Sequence, residues 1–106
     1  MENSKFTVKM TQKANSDLER IYIYVMEEST SINYADHILD RIEKNIMRLQ
    51  DFPYSANFVK DEVLKQKGYR KLIVDNYIIF FLTQNDKKKV TIMRILYVRQ
   101  NYQKYL

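Results

Sequence analysis

The chain has 106 residues, of which 45% are hydrophobic, and it carries a net charge of +5. This length predicts a single domain over residues 1–106 that buries one core without staples. Because the chain has no cysteine, disulfide frameworks, cysteine-ligated zinc and thiol catalysis are excluded. The longest apolar run is about six residues, against the roughly 20 that span a bilayer, and the first residues lack the pattern of a signal peptide. We therefore expect a cytoplasmic protein with no membrane partner.

The N-terminal half is predicted to form a short strand and two amphipathic helices. Residues 5–10 alternate polar and apolar side chains, which is typical of a half-buried strand. Thr11 is placed as the N-cap of the first helix, with Asp17 away from its apolar stripe, and Ser31 as the N-cap of the second. The second helix ends at Phe52-Pro53, because a residue before proline is pushed out of helical geometry. The short link between them favours an antiparallel helical hairpin. Its apolar stripes are Ala14, Leu18, Ile21 and Val25, then Ala35, Ile38 or Leu39, Ile42, Ile46 and Leu49.

The C-terminal half is predicted to form an antiparallel meander after an irregular segment, residues 54–67. The first strand opens at Gly68 and runs through Val74, and Asp75-Asn76 makes a tight turn. The second strand, from Tyr77 to about residue 84, is apolar on both faces, so we place it centrally. The third covers about residues 89–98, and the tail, residues 99–106, is either irregular or one helical turn. The order β-α-α-β-β-β predicts an α+β domain with the hairpin on one face of a mostly antiparallel sheet and the other face partly open.

The positive charge is concentrated in the second half of the chain. Residues 1–53 hold seven basic and nine acidic residues, a net −2, whereas residues 54–106 hold eleven and four, a net +7. This distribution directs the C-terminal half toward a polyanion or an acidic protein. The single histidine, His37, is interpreted as a surface residue of the second helix. The acidic residues lack metal-ligand spacing, so neither a metal nor a cofactor is predicted.

Basic and aromatic residues of the meander are the candidates for target or nucleic-acid contact. Arginine binds phosphates or carboxylates bidentately, and tyrosine stacks on bases or transfers protons. Strand alternation places Arg94 on one face with Val90, Ile92 and Leu96. There it contacts an anion, snorkels at the sheet edge or pairs with a helix carboxylate. Tyr97 alternates to the opposite face with Met93 and Ile95, as either a core cap or an active residue. The candidates are Lys67, Arg70, Lys71, Arg94, Tyr97 and Arg99.

The succession of several loose motifs resembles a known family. After the N-terminal strand come Ala14-x-x-Asp17-Leu18-x-x-Ile21-x-x-Tyr24, Tyr34-Ala35 and Leu49-x-x-Phe52-Pro53. The meander adds Tyr69-Arg70-Lys71-Leu72, Tyr77-Ile78-Ile79-Phe80-Phe81 and Arg94-Ile95-Leu96-Tyr97-x-Arg99. In order, spacing and total length, this set resembles the RelE/ParE superfamily of bacterial type II toxin–antitoxin toxins.

The resemblance implies a small basic toxin that a cognate antitoxin neutralises, with one of two targets. ParE-like toxins poison DNA gyrase, whereas RelE-like toxins cleave mRNA on the ribosome without a metal. Ile78 and Tyr97 stand where the nucleases commonly carry an arginine and a histidine or basic residue, which favours the ParE-like branch slightly. If the chain is instead a nuclease, the resemblance and the residue types assign catalysis to Arg70, Arg99 and Tyr102. A third alternative is a degenerate member that binds its antitoxin and is no longer toxic.

Overall fold

We describe the fold from a computed structural model that covers residues 5–29 and 31–106. The first four residues, on which the expectation about a signal peptide partly rests, and Thr30 in the link between the helices lie outside these ranges. In the described part of the chain, no helix is both long enough and apolar enough to cross a membrane.

The two predicted helices form, and their caps confirm the predicted starts. Helix α1 covers Gln12–Ser29 and helix α2 covers Ile32–Met47. The Ala14 N–H donates to the Thr11 hydroxyl at 3.0 Å, and the Tyr34 N–H donates to the Ser31 hydroxyl at 3.2 Å. Each side chain satisfies one of the backbone donors that a helix start leaves unpaired. Helix α2 gives way to a short 3-10 turn, Arg48–Gln50, before the proline.

Four strands form one mixed sheet in the order β1-β4-β3-β2. They are β1 (Thr7–Met10), β2 (Arg70–Val74), β3 (Tyr77–Gln84) and β4 (Lys89–Tyr97). Strand β1 runs parallel to β4, and the other neighbours are antiparallel, which confirms the mostly antiparallel sheet and the internal position of β3. Asp75 adopts a positive φ of 55° in the two-residue turn between β2 and β3, a conformation that aspartate tolerates.

The sheet buries apolar side chains on both faces. The first face packs against α1 and α2, and its buried sheet residues are Val74, Tyr77, Ile79, Phe81, Val90, Ile92 and Ile95. The second face has its own core of Val59, Leu64, Tyr69, Ile78, Phe80 and Leu96. Tyr102 and Leu106 from the tail pack against this second core. The expectation of a partly open second face is therefore wrong at its centre, because a loop, a short helix and the tail cover it.

A short helix, α3 (Glu62–Gln66), lies in the segment that was predicted to be irregular. Asp61 caps its start by accepting the Leu64 N–H at 3.0 Å. At its end, Gly68 has a φ of 94°, and the N–H groups of Gly68 and Tyr69 donate to the carbonyls of Lys65 and Leu64. This is a Schellman ending, which favours glycine because it needs a left-handed residue. Gly68 therefore ends α3 and does not open β2, which begins at Arg70.

A bulge in β4 changes which side chains share a face. Phe80 pairs with Arg94 and Phe81 with Ile92, so Met93 is an extra residue between two pairs. An extra residue reverses the alternation beyond it. Arg94 therefore lies on the second face, opposite Phe80, and the prediction that it shares a face with Val90 and Ile92 is wrong.

Beyond the bulge, the predicted grouping is correct in part. Leu96 lies in the second core, as the pairing of Arg94 requires. Ile95 packs into the first core, and Tyr97 pairs with Tyr77 of the same core. Ile95 and Tyr97 thus share a face as predicted, whereas Met93 packs against the second core.

Candidate target-binding surface

Arg94 forms an ion pair with Asp17 of helix α1 across the end of the sheet. Its Nε donates to Oδ2 at 2.7 Å and its Nη2 to Oδ1 at 2.8 Å. The Asp17 side chain is 2% exposed and that of Arg94 is 13% exposed. Asp17 is the one buried charged residue in the described part of the chain. It was predicted to lie away from the apolar stripe of α1, so its burial is a correction to the sequence analysis.

Asp17 is buried because strand β1 is short. Pairing between β1 and β4 stops at Met10 and Ile92, which leaves the β4 edge without a strand partner further on. There the Ile95 N–H donates to Asp17 Oδ2 at 2.9 Å. A carboxylate thus replaces the missing strand as acceptor for a buried backbone donor, and a buried donor without an acceptor is costly.

The Arg94 guanidinium is enclosed by the tail as well as by α1. Its Nη1 donates to the Tyr105 carbonyl at 3.3 Å, and its Cζ lies 5.3 Å from the Tyr105 ring centre. Hydrogen bonding to Asp17 raises the pKa of Arg94, against the lowering effect of burial. Of the three arrangements predicted for Arg94, pairing with a helix carboxylate is the one observed. A target contact by Arg94 stays a prediction.

Arg70 lies at the start of β2 among exposed aromatic side chains. Its Nη1 donates to the Ala56 carbonyl at 2.6 Å. Its Cζ lies 4.0 Å from the ring centre of Phe58 and 5.2 Å from that of Tyr54. Lys71 follows it on the strand, and Lys67 is an exposed residue at the end of α3. Arg70 pairs with Phe81 of the first face and Lys71 with Phe80 of the second, so these two neighbouring cations lie on opposite faces of the sheet.

Tyr97 and Arg99 lie at the opposite end of the sheet. Tyr97 is 39% exposed, and its ring meets the edge of Tyr77 with 5.9 Å between ring centres. Its N–H donates to Gln100 Oε1 at 2.9 Å, which closes a turn that contains the exposed Arg99. Burial, and then the neighbouring Tyr34, raise the pKa of Tyr77. This end of the molecule thus presents tyrosines beside the exposed Arg99, which forms no ion pair within the described residues.

The three candidate catalytic side chains do not converge. Tyr102 packs against Phe80 with 5.0 Å between ring centres on the second face. Arg70 pairs with Phe81, whose side chain belongs to the first face. In the strand register, Arg70 lies at the level of Ile92, whereas Arg99 lies beyond Tyr97. Tyr97 is itself about 16 Å from Ile92 along β4 at 3.3 Å per residue. The structure therefore places Arg70 and Tyr102 on opposite faces and Arg99 at the far end.

The sequence analysis missed the exposed aromatic residues before α3. Phe52, Tyr54 and Phe58 are 56%, 49% and 41% exposed. The available signal was three aromatic residues within seven positions of a segment without helical or strand periodicity. Such residues have no regular face to bury, so exposure was the simplest expectation. His37 is exposed on α2, as predicted.

The described part of the chain holds no group of three or more histidine or acidic side chains arranged to bind a metal. The prediction that the protein needs neither a metal nor a cofactor stays a prediction. Its candidate surface consists of cations and aromatic rings, which suit the binding of anions and flat apolar groups.

Comparison with known proteins identifies the family. The family described as ParE toxin of type II toxin-antitoxin system, parDE, matches residues 8–102. The chain belongs to the ParE toxin family. This membership confirms the resemblance to the RelE/ParE superfamily. No curated protein matches the chain significantly.

Two solved structures show the same fold. A chain of the chromosomal ParDE toxin–antitoxin system from P. aeruginosa superposes with a TM-score of 0.74 at 23% identity, covering 92% of this ParE-family chain and 100% of that chain. A chain of the RelBE2 toxin–antitoxin complex from Mycobacterium tuberculosis superposes with a TM-score of 0.60 at 15% identity, covering 88% and 91%. These likenesses confirm the predicted β-α-α-β-β-β architecture.

Proposed function

We propose that this ParE-family chain arrests bacterial growth by inhibiting DNA gyrase, and that a cognate antitoxin holds it inactive. Membership of the ParE family over residues 8–102 supports the gyrase target. The observation that carries the choice over mRNA cleavage is the separation of Arg70, Arg99 and Tyr102. A binding inhibitor needs only an exposed complementary surface, whereas a nuclease needs converging groups.

Phosphodiester cleavage without a metal makes a strict geometric demand. A proton acceptor and cations must reach one phosphate together, within hydrogen-bond distance. Tyr102 and Arg70 lie on opposite faces of the sheet, and Arg94 already donates to Asp17 and Tyr105. A ribosome-bound nuclease would have to rearrange these groups, so we treat RelE-like cleavage as the alternative outcome of the test.

The outer edge of β2 is the surface we assign to the antitoxin. The segment before α3 covers its first half, where the Lys71 N–H donates to the Asn57 carbonyl at 3.1 Å. Within the described residues, no strand pairs with the rest of this edge. Ile73, 57% exposed, lies there beside Lys71. An acidic peptide with apolar residues would add to this edge as an extra strand and cover Ile73.

The first experiment is tightly induced expression in a bacterium, with DNA synthesis and protein synthesis pulse-labelled in the first minutes. The proposal expects an early fall in DNA synthesis while translation continues, and inhibition of supercoiling by purified gyrase. An early fall in translation would overturn it in favour of mRNA cleavage. Soluble protein with no growth defect would overturn toxicity and leave a degenerate antitoxin-binding protein.

Matched variants separate docking from chemistry. Arg99→Ala removes an exposed cation of the predicted surface, whereas Lys44→Ala removes a cation that pairs with Asp40 on α2. We expect Arg99→Ala to weaken gyrase inhibition in proportion to lost gyrase binding, and Lys44→Ala to change neither. Binding retained with toxicity lost would point to chemistry at Arg99.

The antitoxin assignment has its own test. Ile73→Lys places a charge in the free edge, and Thr7→Lys changes an exposed position of β1 on the other side of the sheet as a control. Co-expression with the cognate antitoxin should rescue growth for the control and fail for Ile73→Lys. Equal rescue of both would contradict the β2 edge as the antitoxin site.

A further inference from the structure

Five side chains at the end of the sheet where β4 begins form a continuous line of cations and aromatic rings. In order of contact they are Lys88, Phe6, Tyr54, Arg70 and Phe58. The Lys88 Nζ lies 5.2 Å from the Phe6 ring centre, and Phe6 meets Tyr54 edge to face at 6.0 Å. Arg70 then lies 5.2 Å from Tyr54 and 4.0 Å from Phe58. We call this line the aromatic row.

A further cation–ring contact lies just before Tyr54 in the sequence. The Arg48 guanidinium is 5.9 Å from the ring centre of Phe52, a ring that is 56% exposed. Tyr54 and Phe58 in the row are 49% and 41% exposed. Large aromatic surfaces left in water beside cations mark a binding surface more often than scattered exposed residues do.

The cations of this surface have no carboxylate partner within the described part of the chain. Elsewhere in the fold, Arg41, Lys44 and Arg94 each pair with an aspartate. Arg48 and Lys88 form no ion pair with any described residue. Arg70 donates one hydrogen bond to the Ala56 carbonyl. The other N–H groups of its guanidinium can therefore bind an anion. Free cations between exposed rings suit a ligand that is both anionic and flat-faced.

The backbone at Lys88 supports a role for its side chain. Lys88 has a φ of 50°, a left-handed conformation that glycine or asparagine adopts more readily. A lysine at such a position adopts a sparsely populated backbone conformation, which costs free energy locally. Its ammonium group stands over Phe6 at the start of the row.

We propose that the aromatic row binds single-stranded nucleic acid, with bases stacking on Tyr54 and Phe58 and phosphates bound by Arg70 and Lys88. Single strands combine both chemistries, because each nucleotide carries one phosphate and one flat base. An acidic peptide would use the cations and leave the exposed rings without stacking partners. A duplex keeps its bases stacked inside and offers phosphates only.

The test uses the purified full chain and fluorescence anisotropy with labelled oligo(dT) and oligo(rU). We expect at least one oligonucleotide to bind more tightly than inorganic polyphosphate and a poly-glutamate peptide do. Comparing oligo(dT) with oligo(rU) shows whether the row prefers DNA or RNA. A Kd weaker than about 10⁻⁴ M for both at low salt, or equal affinity for polyphosphate, would overturn the proposal. Tighter binding of poly-glutamate would assign the row to an acidic protein instead, and so would also overturn it.

Three variants separate stacking from charge. Phe58→Leu keeps the charge and apolar volume and should weaken binding about 5- to 150-fold, the effect of losing one stacked base. Arg70→Gln should make the dependence of log K on log salt shallower by about 0.7, as expected for one lost phosphate contact to a single strand. Lys88→Asn should also make the dependence of log K on log salt shallower. It should leave the melting temperature unchanged or higher, because asparagine suits the left-handed backbone.

Control variants stand outside the row. Tyr24→Leu removes a 59% exposed ring from α1, and Lys44→Gln removes a paired cation from α2. Both should bind oligonucleotides as the wild type does. If they weaken binding as much as Phe58→Leu, the row has no special role. The assay contains no gyrase, so its failure would leave the proposed gyrase inhibition untouched.

Discussion

Replacing Asp17 with asparagine should destabilise the fold more than any surface change. The substitution keeps the shape of the side chain and removes its charge, which leaves Arg94 as a mostly buried cation without its counter-ion. Asp17 also accepts the Ile95 N–H. Breaking one side of a buried ion pair costs about 3–5 kcal/mol, a large part of the roughly 5–15 kcal/mol that holds a domain of this size folded.

Urea unfolding followed by circular dichroism measures this loss directly. In thermal unfolding of the same variant, at about 4 °C or more per kcal/mol, the melting temperature should fall by more than about 12 °C. Arg20→Gln is the matched control, because Arg20 also contacts Asp17, at 3.2 Å, but its side chain is 68% exposed. An exposed pair contributes at most about 1 kcal/mol.

A double variant tests the cause. Asp17→Leu combined with Arg94→Met replaces the pair with apolar groups and should be more stable than the sum of the two single losses predicts. The reasoning is refuted if Asp17→Asn costs less than about 1 kcal/mol, or if the losses of the double variant simply add.

Three further predictions follow from local geometry. Gly68→Ala should cost about 1 kcal/mol in urea unfolding, because its φ of 94° disfavours a side chain, although a Cβ there would meet Leu82 only at an ordinary van der Waals distance of 3.9 Å. The hydrogen bond from the Leu64 N–H is the largest of the effects that lower the pKa of Asp61. Its stabilising effect is therefore present above the ordinary aspartate pKa of about 3.9 and lost as pH falls from there through the lowered value. Protection of the Leu64 amide, measured as its exchange rate relative to an unstructured peptide at the same pH, should fall only in that acid range. An equal loss of protection near neutral pH would contradict the cap. Tyr102→Ala should cost about 2 kcal/mol, roughly half of a full aromatic truncation, because the ring packs on Phe80 but is only half-buried; Tyr102→Phe, which keeps the ring, should melt within a degree or two of the wild type.

Local sequence signals were sufficient for the helical hairpin and the meander. Thr11 and Ser31 cap the helices as predicted, because an N-cap is decided by a side chain and a backbone donor three residues apart. The turn at Asp75-Asn76 forms for a similarly local reason. The family was also accessible from the sequence, since it is carried by the order and spacing of motifs along almost the whole chain.

The short helix α3 was beyond sequence reasoning. Five residues are too few for a helical period to show. Asp61 and Gly68 bound it, but only the packing of Leu64 under the second face makes a helix of that length stable.

The candidate site depended on contacts between distant parts of the chain. Alternation predicted the faces of β4 correctly up to Ile92, and the bulge at Met93 reversed it, because register is set by the partner strand and not by the strand itself. Arg94 and Asp17 stand 77 positions apart, and no local pattern relates two such residues.

Apart from the short helix α3, the sequence by itself thus determined which segments form helices and strands and where the positive charge lies. Only the tertiary structure decided which of those charges remain free. Arg94 is held in an ion pair with Asp17 because β1 ends early. Arg70 lies beside aromatic rings because the segment before α3 pairs with β2. The physical reason is that charge and periodicity belong to single residues and short windows, whereas availability for binding depends on what the fold brings alongside.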